Sequence, residues 1–414
     1  MIKKYLLSIL FFPFSLFGAA FLTSNIPLPK TYVMDLDPYP CDEVCLKQYL
    51  EHGKIFSFLA RANSTTLKTP ELQDAKNIYI SVFNLGSFTT AKEMRIAMLL
   101  PYKKIGKYAT TTTQSVFAYL MTRNNAFELK SFSIDNESKE EIQKAIKEIR
   151  KEGYRYVIAP MTLKGAHTLI DLQPEFFVYF PTVHKNDCSL AGENFYFGAI
   201  DYRAQSEILL KEATSPLVIF YDNSTIGKKL SDIQEKLFLA QNDFFGNTNK
   251  QVIKYTIASR MTNLERKLKK NAKLKNASIM LDTPLVKSGM IMSQLTLYEI
   301  EPANILSTQI NYDPLILSIT QYEDRKKMLI ANSITVQNKV LVQTNALLDN
   351  DIKYDWINYT TTIGIDYFFN LITNLPREYA IEMVENQMIY PIELVKPSVA
   401  RFEKYNPKTV EESY

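Results

Sequence analysis

Glycine is scarce in this chain, at 12 of 414 residues. That argues against glycine-rich loops of the kind that cradle phosphates. Histidine occurs three times, at His52, His167 and His184, and tryptophan once, at Trp356. Charge of one sign is also lacking. The formal net charge is +4, and losing Lys3 and Lys4 with a leader would lower it further. No electrostatic case for nucleic acid follows. Cysteines number three, Cys41, Cys45 and Cys188, so an oxidising compartment would leave one over.

What is present begins at the N-terminus. Met1 to Lys4 forms a short basic segment, and Tyr5 to Phe17 is apolar apart from Ser8, Pro13 and Ser15. Gly18, Ala19 and Ala20 then supply small residues, an order that reads as a cleaved secretory signal over residues 1–20. An uncleaved anchor is the rival, because apolar residues continue to Leu22. Pro13 and the small triplet favour cleavage. No cysteine lies near the cut to carry a lipid. No later stretch has the length and apolarity of a membrane span, so the expectation is an exported, periplasmic protein with no transmembrane segment after cleavage.

Beyond a proline-rich lead-in, Asp42 to Ala62 has helical spacing, with Gly53 as its weak point. Cys41 and Cys45 stand four apart at its start, within disulfide reach on a helix. The pair is expected as a staple, against two unpaired thiols on one face. Residues 63–77 are polar and turn-rich, and Ile78 to Phe83 reads as a strand. Residues 21–90 form a mainly helical extension.

From Met94 onward strands and helices alternate. Arg95 to Leu100 is a buried-strand run, Thr110 to Arg123 a helix and Phe127 to Ile134 a strand. Ser138 and Glu141 form a capping box for a helix that Gly153 stops. Strands follow at Tyr154–Ala159, Phe176–Phe180, Leu217–Tyr221, Val252–Ile257, Ser278–Leu281 and Ile305–Gln309. Helices are read at Asp201–Glu212, Ser231–Gln241, Asn263–Leu274 and Leu285–Tyr298. Such alternation gives βαβ units and parallel sheets. There is too much of it for one short sheet, so the expectation is an α/β protein of two doubly wound lobes.

The order of elements resembles the type 1 periplasmic binding-protein fold of branched-chain amino-acid receptors. It also resembles the cleft domain of lipoprotein activators of penicillin-binding proteins. The residues that carry this are Ile96 to Pro101, Gly153 to Pro160, Phe176 to Thr182 and Tyr354 to Leu371. The most specific piece is Val218 to Leu230 (VIFYDNSTIGKKL), which resembles the first strand of lobe two, its acidic turn and the glycine-opened helix. The resemblance implies three crossovers, near residues 200, 337 and 388. Lobe one would then comprise residues 91–200 and 338–387, lobe two 201–337 and 388–405, with a tail over 406–414.

It also implies a ligand crevice at the carboxyl ends of the strands. Transferred by position, the ligand-binding candidates are Tyr102, Thr162, Lys164, Thr182, Asp222, Asn223, Asp282 and Tyr312. The cleft loops are Pro101-Tyr102, Met161 to Gly165, Pro181-Thr182, Asp222 to Ser224, Asp282-Thr283 and Tyr312-Asp313. The receptors hold a ligand carboxylate with hydroxyls and N–H groups of a serine-rich loop after the third strand. This chain has Thr162-Leu-Lys-Gly165 there. Where receptors carry an aromatic before the lobe-two glycine, this chain has Ile226.

Other chemistry is weakly specified. His184, Asp187 and Cys188 could be drawn as a metal cluster or a Cys–His pair, but a usual zinc site needs three or four ligands. The plainer interpretation is a surface loop with a spare thiol. Lys103, Lys104 and Lys107, with threonines at the next helix start, could attract an anion, or simply be a solvated loop. The basic run Arg266 to Lys275 could touch an acidic polymer or lipid, or be the outer face of a helix.

No cofactor, metal or catalytic residue is therefore expected. The favoured function is a non-enzymatic envelope protein that recognises a protein partner or acts as a scaffold. The alternatives are a receptor for a small polar or anionic ligand feeding a transporter, an activator of cell-wall synthesis and, least favoured, a hydrolase.

Overall fold

The computed structural model describes residues 33, 35, 39–62, 66–67, 69–83, 94–123, 125–188, 190–241, 250–258 and 264–406. The expected signal segment and the tail beyond residue 406 lie outside the described residues. The chain divides into two compact units, residues 1–90 and 91–414.

In the first unit three helices follow one another: α1 (Glu43–Glu51), α2 (Ile55–Arg61) and α3 (Pro70–Val82). Asp42 opens α1 by accepting the Cys45 N–H, and Cys41 and Cys45 form the expected disulfide across a Cα separation of 5.5 Å. One helix was expected over 42–62. It is two, because Gly53 takes a left-handed φ of 66° that residues with a Cβ rarely adopt. The strand expected at Ile78–Phe83 is instead the end of α3, and part of the supposed turn region is its start. Helical spacing lets Leu72, Ala75, Tyr79 and Phe83 reach the same small core as Leu46, Phe58 and Leu59.

The second unit opens with β1 (Met94–Pro101), α4 (Tyr102–Ile105), α5 (Lys107–Met121), β2 (Phe127–Ile134), α6 (Lys139–Lys151) and β3 (Tyr156–Ile158). It continues through α7 (Leu163–Asp171), β4 (Phe177–Phe180) and β5 (Phe195–Phe197). The next stretch is α8 (Tyr202–Leu209), β6 (Leu217–Asp222), α9 (Thr225–Ala240), β7 (Val252–Ile257), α10 (Leu264–Leu268) and β8 (Ser278–Asp282). Then come α11 (Leu285–Leu297), β9 (Asn304–Ser307), α12 (Leu315–Ile319), α13 (Tyr322–Arg325) and β10 (Met328–Asn332). The chain closes with α14 (Lys339–Leu347), α15 (Trp356–Thr373), β11 (Glu382–Val384), β12 (Gln387–Ile389), β13 (Glu393–Pro397) and β14 (Phe402–Lys404).

These strands make two seven-stranded sheets, ordered β11-β12-β5-β4-β3-β1-β2 and β14-β13-β10-β9-β8-β6-β7. The chain passes between them three times: after β5, after β10 and between β12 and β13. Pairing is parallel except at β11–β12, β10–β13 and β13–β14. The molecule beyond residue 91 is thus a two-lobed α/β fold of mostly parallel sheets, as the alternation of elements implied.

Central strands explain their own position. In β1, Ile96 pairs with Leu129 of β2 and Tyr156 of β3, and all but Arg95 of its side chains are buried. A strand covered by helices on both faces needs such an unbroken apolar run. In lobe one, α5, α14 and α15 pack on one face and α6 and α7 on the other.

Two local expectations need correction. The basic helix expected over 263–274 is only α10, because Lys270 turns left-handed (φ 58°) and Asn271 opens a separate turn. At α6, Ser138 Oγ accepts the Glu141 N–H at 3.4 Å, but the Ser138 N–H goes to Asn136 at 2.8 Å, so the box is half made.

Candidate functional site

Parallel strands direct their carboxyl ends to the junction between lobes, and the candidates carried by resemblance stand there in different circumstances. Tyr102 begins α4 and is 44 % exposed. Lys164 and Asn223 are also exposed. The segment Met161–Gly165, expected as a loop, already turns into α7, with Thr162 as its N-cap.

Thr162 is fully engaged. Its N–H donates to the Glu137 carboxylate at 2.7 Å, its hydroxyl donates to the other oxygen of Glu137, and its Oγ1 accepts the Gly165 N–H. Glu137 is only 6 % exposed. A Cβ at Gly165 would lie 2.5 Å from the Glu137 carboxyl, so the glycine is what admits it. A carboxylate at a helix N-terminus meets unpaired N–H groups and the positive end of the helix dipole. Here the chain supplies that carboxylate itself.

Thr182 donates its hydroxyl to Met161 O at 2.6 Å. Asp222 accepts from the N–H and hydroxyl of Ser224 and lies 3.5 Å from Lys287 Nζ. Burial pushes its carboxyl up, but Ser224 and Lys287 outweigh that and hold it below the usual carboxylate range. Asp282 is wholly buried, and its Oδ1 accepts from Gln234 Nε2 at 2.9 Å. Burial raises its carboxyl to about 8, against the opposing pull of Gln234 and Lys254. Tyr312 is half-buried, its ring 4.7 Å from Phe402 and 5.4 Å from Tyr354.

The first crossover bounds a cavity of about 260 Å³. Lobe one contributes Thr182, His184 and Asp187, the crossover Asp201 and Tyr202, and α9 Ile226, Lys229 and Leu230. Thr182 is the ligand candidate found there. Ile226 faces the same space, so an aliphatic branch fills the position where the receptors carry a ring. Lys229 Nζ meets both oxygens of Asp187, at 2.8 and 2.9 Å, joining α9 of lobe two to the loop after β4. Burial lowers the basicity of His184, partly offset by Asp201 and Asp187. Tyr312 lines a different cavity, of about 670 Å³, beside the second and third crossovers.

In the His184–Asp187–Cys188 segment the thiol is unpaired, as expected, but it is buried, while Asn186 is exposed and His184 and Asp187 are half-buried. Cys188 is 3 % exposed and burial pushes its thiol up to about 11. His184 Nδ1 accepts the Asn186 N–H, and His167 Nε2 sits 2.7 Å from Asp187 O. Among the described residues no group of three or more His, Cys, Asp or Glu side chains could hold a metal ion. In the basic segment after β1, Lys103, Lys104 and Lys107 are exposed, as the plainer expectation has it, but the threonines do not stand at the helix start. Lys103 pairs with Asp135 at 2.6 Å, and the helix starts at Lys107, so Thr112 and Thr113 lie inside it and bond backbone carbonyls. Glu137, Asp201 and Lys229 were not anticipated. Glu137 and Thr162 meet across 25 residues of sequence, with no periodicity to join them.

Two facing α/β lobes, joined by three crossovers with a cavity at the junction, define the type 1 periplasmic binding-protein-like fold. No family profile matches the sequence, and no curated protein does. Solved structures do. The leucine-binding protein LivK of Thermotoga maritima superposes with a TM-score of 0.53 at 14 % identity, over 76 % of this chain and 99 % of that one. LivJ of Streptococcus pneumoniae, a branched-chain amino-acid transporter substrate-binding protein solved with isoleucine, gives 0.55 at 9 %, over 76 % and 100 %. LpoA of Haemophilus influenzae gives 0.50 at 12 %, over 88 % of this chain and 72 % of that one. Among the described residues no helix is long and apolar enough to cross a membrane.

Proposed function

We propose that this chain is a non-enzymatic exported envelope protein that uses a binding-protein-like fold to recognise a protein partner in the periplasm. The observation that carries the proposal is Glu137. Its carboxylate takes the N–H and hydroxyl of Thr162, the groups best placed at the end of β3 to hold a ligand's carboxylate. An amino acid would have to displace a buried internal carboxylate to bind there. The small cavity at the first crossover, with Lys229 already paired to Asp187, supports the same reading. Export rests on the basic and apolar N-terminal segment.

The test is thermal denaturation of the full mature chain against amino acids, small peptides, sugars, nucleosides and cell-wall fragments. A ligand that binds only the native state must raise the melting temperature. The expected result is no rise with the free amino acids or any other small class, together with specific crosslinking to one envelope protein. A rise of several degrees with a single metabolite class would overturn the reading in favour of a solute receptor.

A further inference from the structure

The cavity of about 670 Å³ shares no lining residue with the one at the first crossover. It has an aromatic wall and a cationic rim. The wall is Tyr312, Tyr354 and Phe402, whose ring centroids lie 4.7 to 6.0 Å apart. The rim carries Lys339, Lys353 and Lys404, and the lining carboxylate is Glu393. Glu393 pairs with Lys404 at 2.6 Å. Among the described residues Lys339 and Lys353 have no ion-pair partner, and Lys353 Nζ lies over the Tyr354 ring, 5.7 Å from its centre, so two positive charges stand at the mouth without a carboxylate. A third feature runs alongside. The second crossover borders the cavity, and while the Thr335 backbone N–H is turned to Tyr359 OH, among the described residues the N–H groups of Val336 and Gln337 meet no acceptor. Val336 is 96 % exposed.

Aromatic rings favour another planar ring, two ammonium groups without a carboxylate favour an acidic ligand, and two adjacent unused backbone donors favour a peptide main chain. We infer that this cavity is where the partner docks, by an acidic peptide segment bearing an aromatic side chain, with its main chain laid along the second crossover. The inference rests on the partner reading above. The ring of the peptide packs against the wall formed by Tyr312, Tyr354 and Phe402, its carboxylates meet Lys339 and Lys353, and its carbonyls accept from the Val336 and Gln337 N–H groups. A small aromatic acid would use the wall and the lysines but leave those donors unmet.

The test selects peptides from a random displayed library on the full mature chain and re-screens them on Lys339→Glu/Lys353→Glu. Both lysines are exposed, and circular dichroism checks that the variant folds. The expected winners carry Phe, Tyr or Trp flanked by Asp or Glu. They should bind the double variant about ten-fold or more weakly and lose affinity as salt rises. Winners without that composition, binding indifferent to the double substitution, or no enrichment would each overturn the inference. So would a melting-temperature rise with 4-hydroxyphenylacetate that the double variant abolishes, since that would make the occupant a small acid. Crosslinking distinguishes this failure from failure of the partner reading. An envelope protein captured equally by wild type and double variant leaves the reading standing and this site refuted.

Discussion

The carboxyl of Asp282 has one hydrogen-bonding neighbour, Gln234 Nε2, and no exposure to water. Two atoms there lack partners, Asp282 Oδ2 and Gln234 Oε1. A proton on Oδ2 could be shared with Gln234 Oε1 and complete a two-bond acid–amide pair. That agrees with a carboxyl raised by burial to about 8. In the unfolded chain the group titrates near 4. The folded form therefore holds its proton longer. Its stabilising share is complete below about pH 4, declines as pH rises to about 8 and is constant beyond. Asp282→Asn should replace the proton with an amide donor to Gln234 Oε1. Its melting temperature should match wild type below about pH 4 and exceed it by a margin that grows as pH rises, reaching several degrees at pH 8.5. Melting curves that stay parallel across that range would refute a protonated Asp282. Sequence could place Asp282 at the end of a strand, because the run Ser278–Leu281 is apolar and short. It could not say that the side chain turns into the core, since Gln234 lies 48 residues away and on another element.

At the scale of elements, α7 illustrates what periodicity misses. Its nine residues are short, Gly165 and Lys164 dilute its apolar face, and Thr162-Leu-Lys-Gly reads as a loop. Its N-cap, Thr162, is held in place by Glu137, which lies ahead of α6. By contrast β1, β2 and α6 were legible. Each has an unbroken period of its own, and α6 also has Ser138 and Gly153 at its ends. The Ile78–Phe83 run failed for a different reason, because a short apolar stretch fits a strand or a buried helix end equally well. The Glu137–Thr162 contact has a measurable consequence. Glu137→Ala should cost about 1–3 kcal/mol, the range for leaving donors without their buried charged acceptor. It also vacates a carboxylate-sized site. Acetate should then restore part of the lost melting temperature in the variant, beyond any effect of the same salt on wild type. A variant as stable as wild type would show that Glu137 does not hold the end of α7.

For the whole two-lobed unit, the question is whether the lobes can part as a receptor's must. Each crossover is tied to the lobe it leaves. Gly198 O accepts from Thr360 Oγ1 at 2.6 Å and from Tyr390 OH at 2.9 Å, joining the first and third crossovers to α15. Gln205 accepts the Gln309 N–H and donates to Ser333 Oγ at 2.8 Å, fixing the second crossover to α8. These groups are buried, so breaking each costs more than the net worth of an exposed bond. The strands that cross were only partly legible. The return through α15 shows in its long apolar helix, but β5 and β12 are three residues each and carry too little pattern. Across the junction itself, the ion pair Lys229–Asp187 is half exposed and contributes at most about 1 kcal/mol. That corresponds to about a five-fold change in any open population. Spin labels at Lys151→Cys and Lys236→Cys would report the lobe separation, with Cys188 left buried and unlabelled. Wild type should give one narrow distance with or without amino acids. Lys229→Ala should add no more than a minor longer component, of the size that high salt also produces. A dominant longer distance in Lys229→Ala would mean that one surface ion pair holds the lobes together. A shift on adding an amino acid would mean that Glu137 yields its place and the cleft still works.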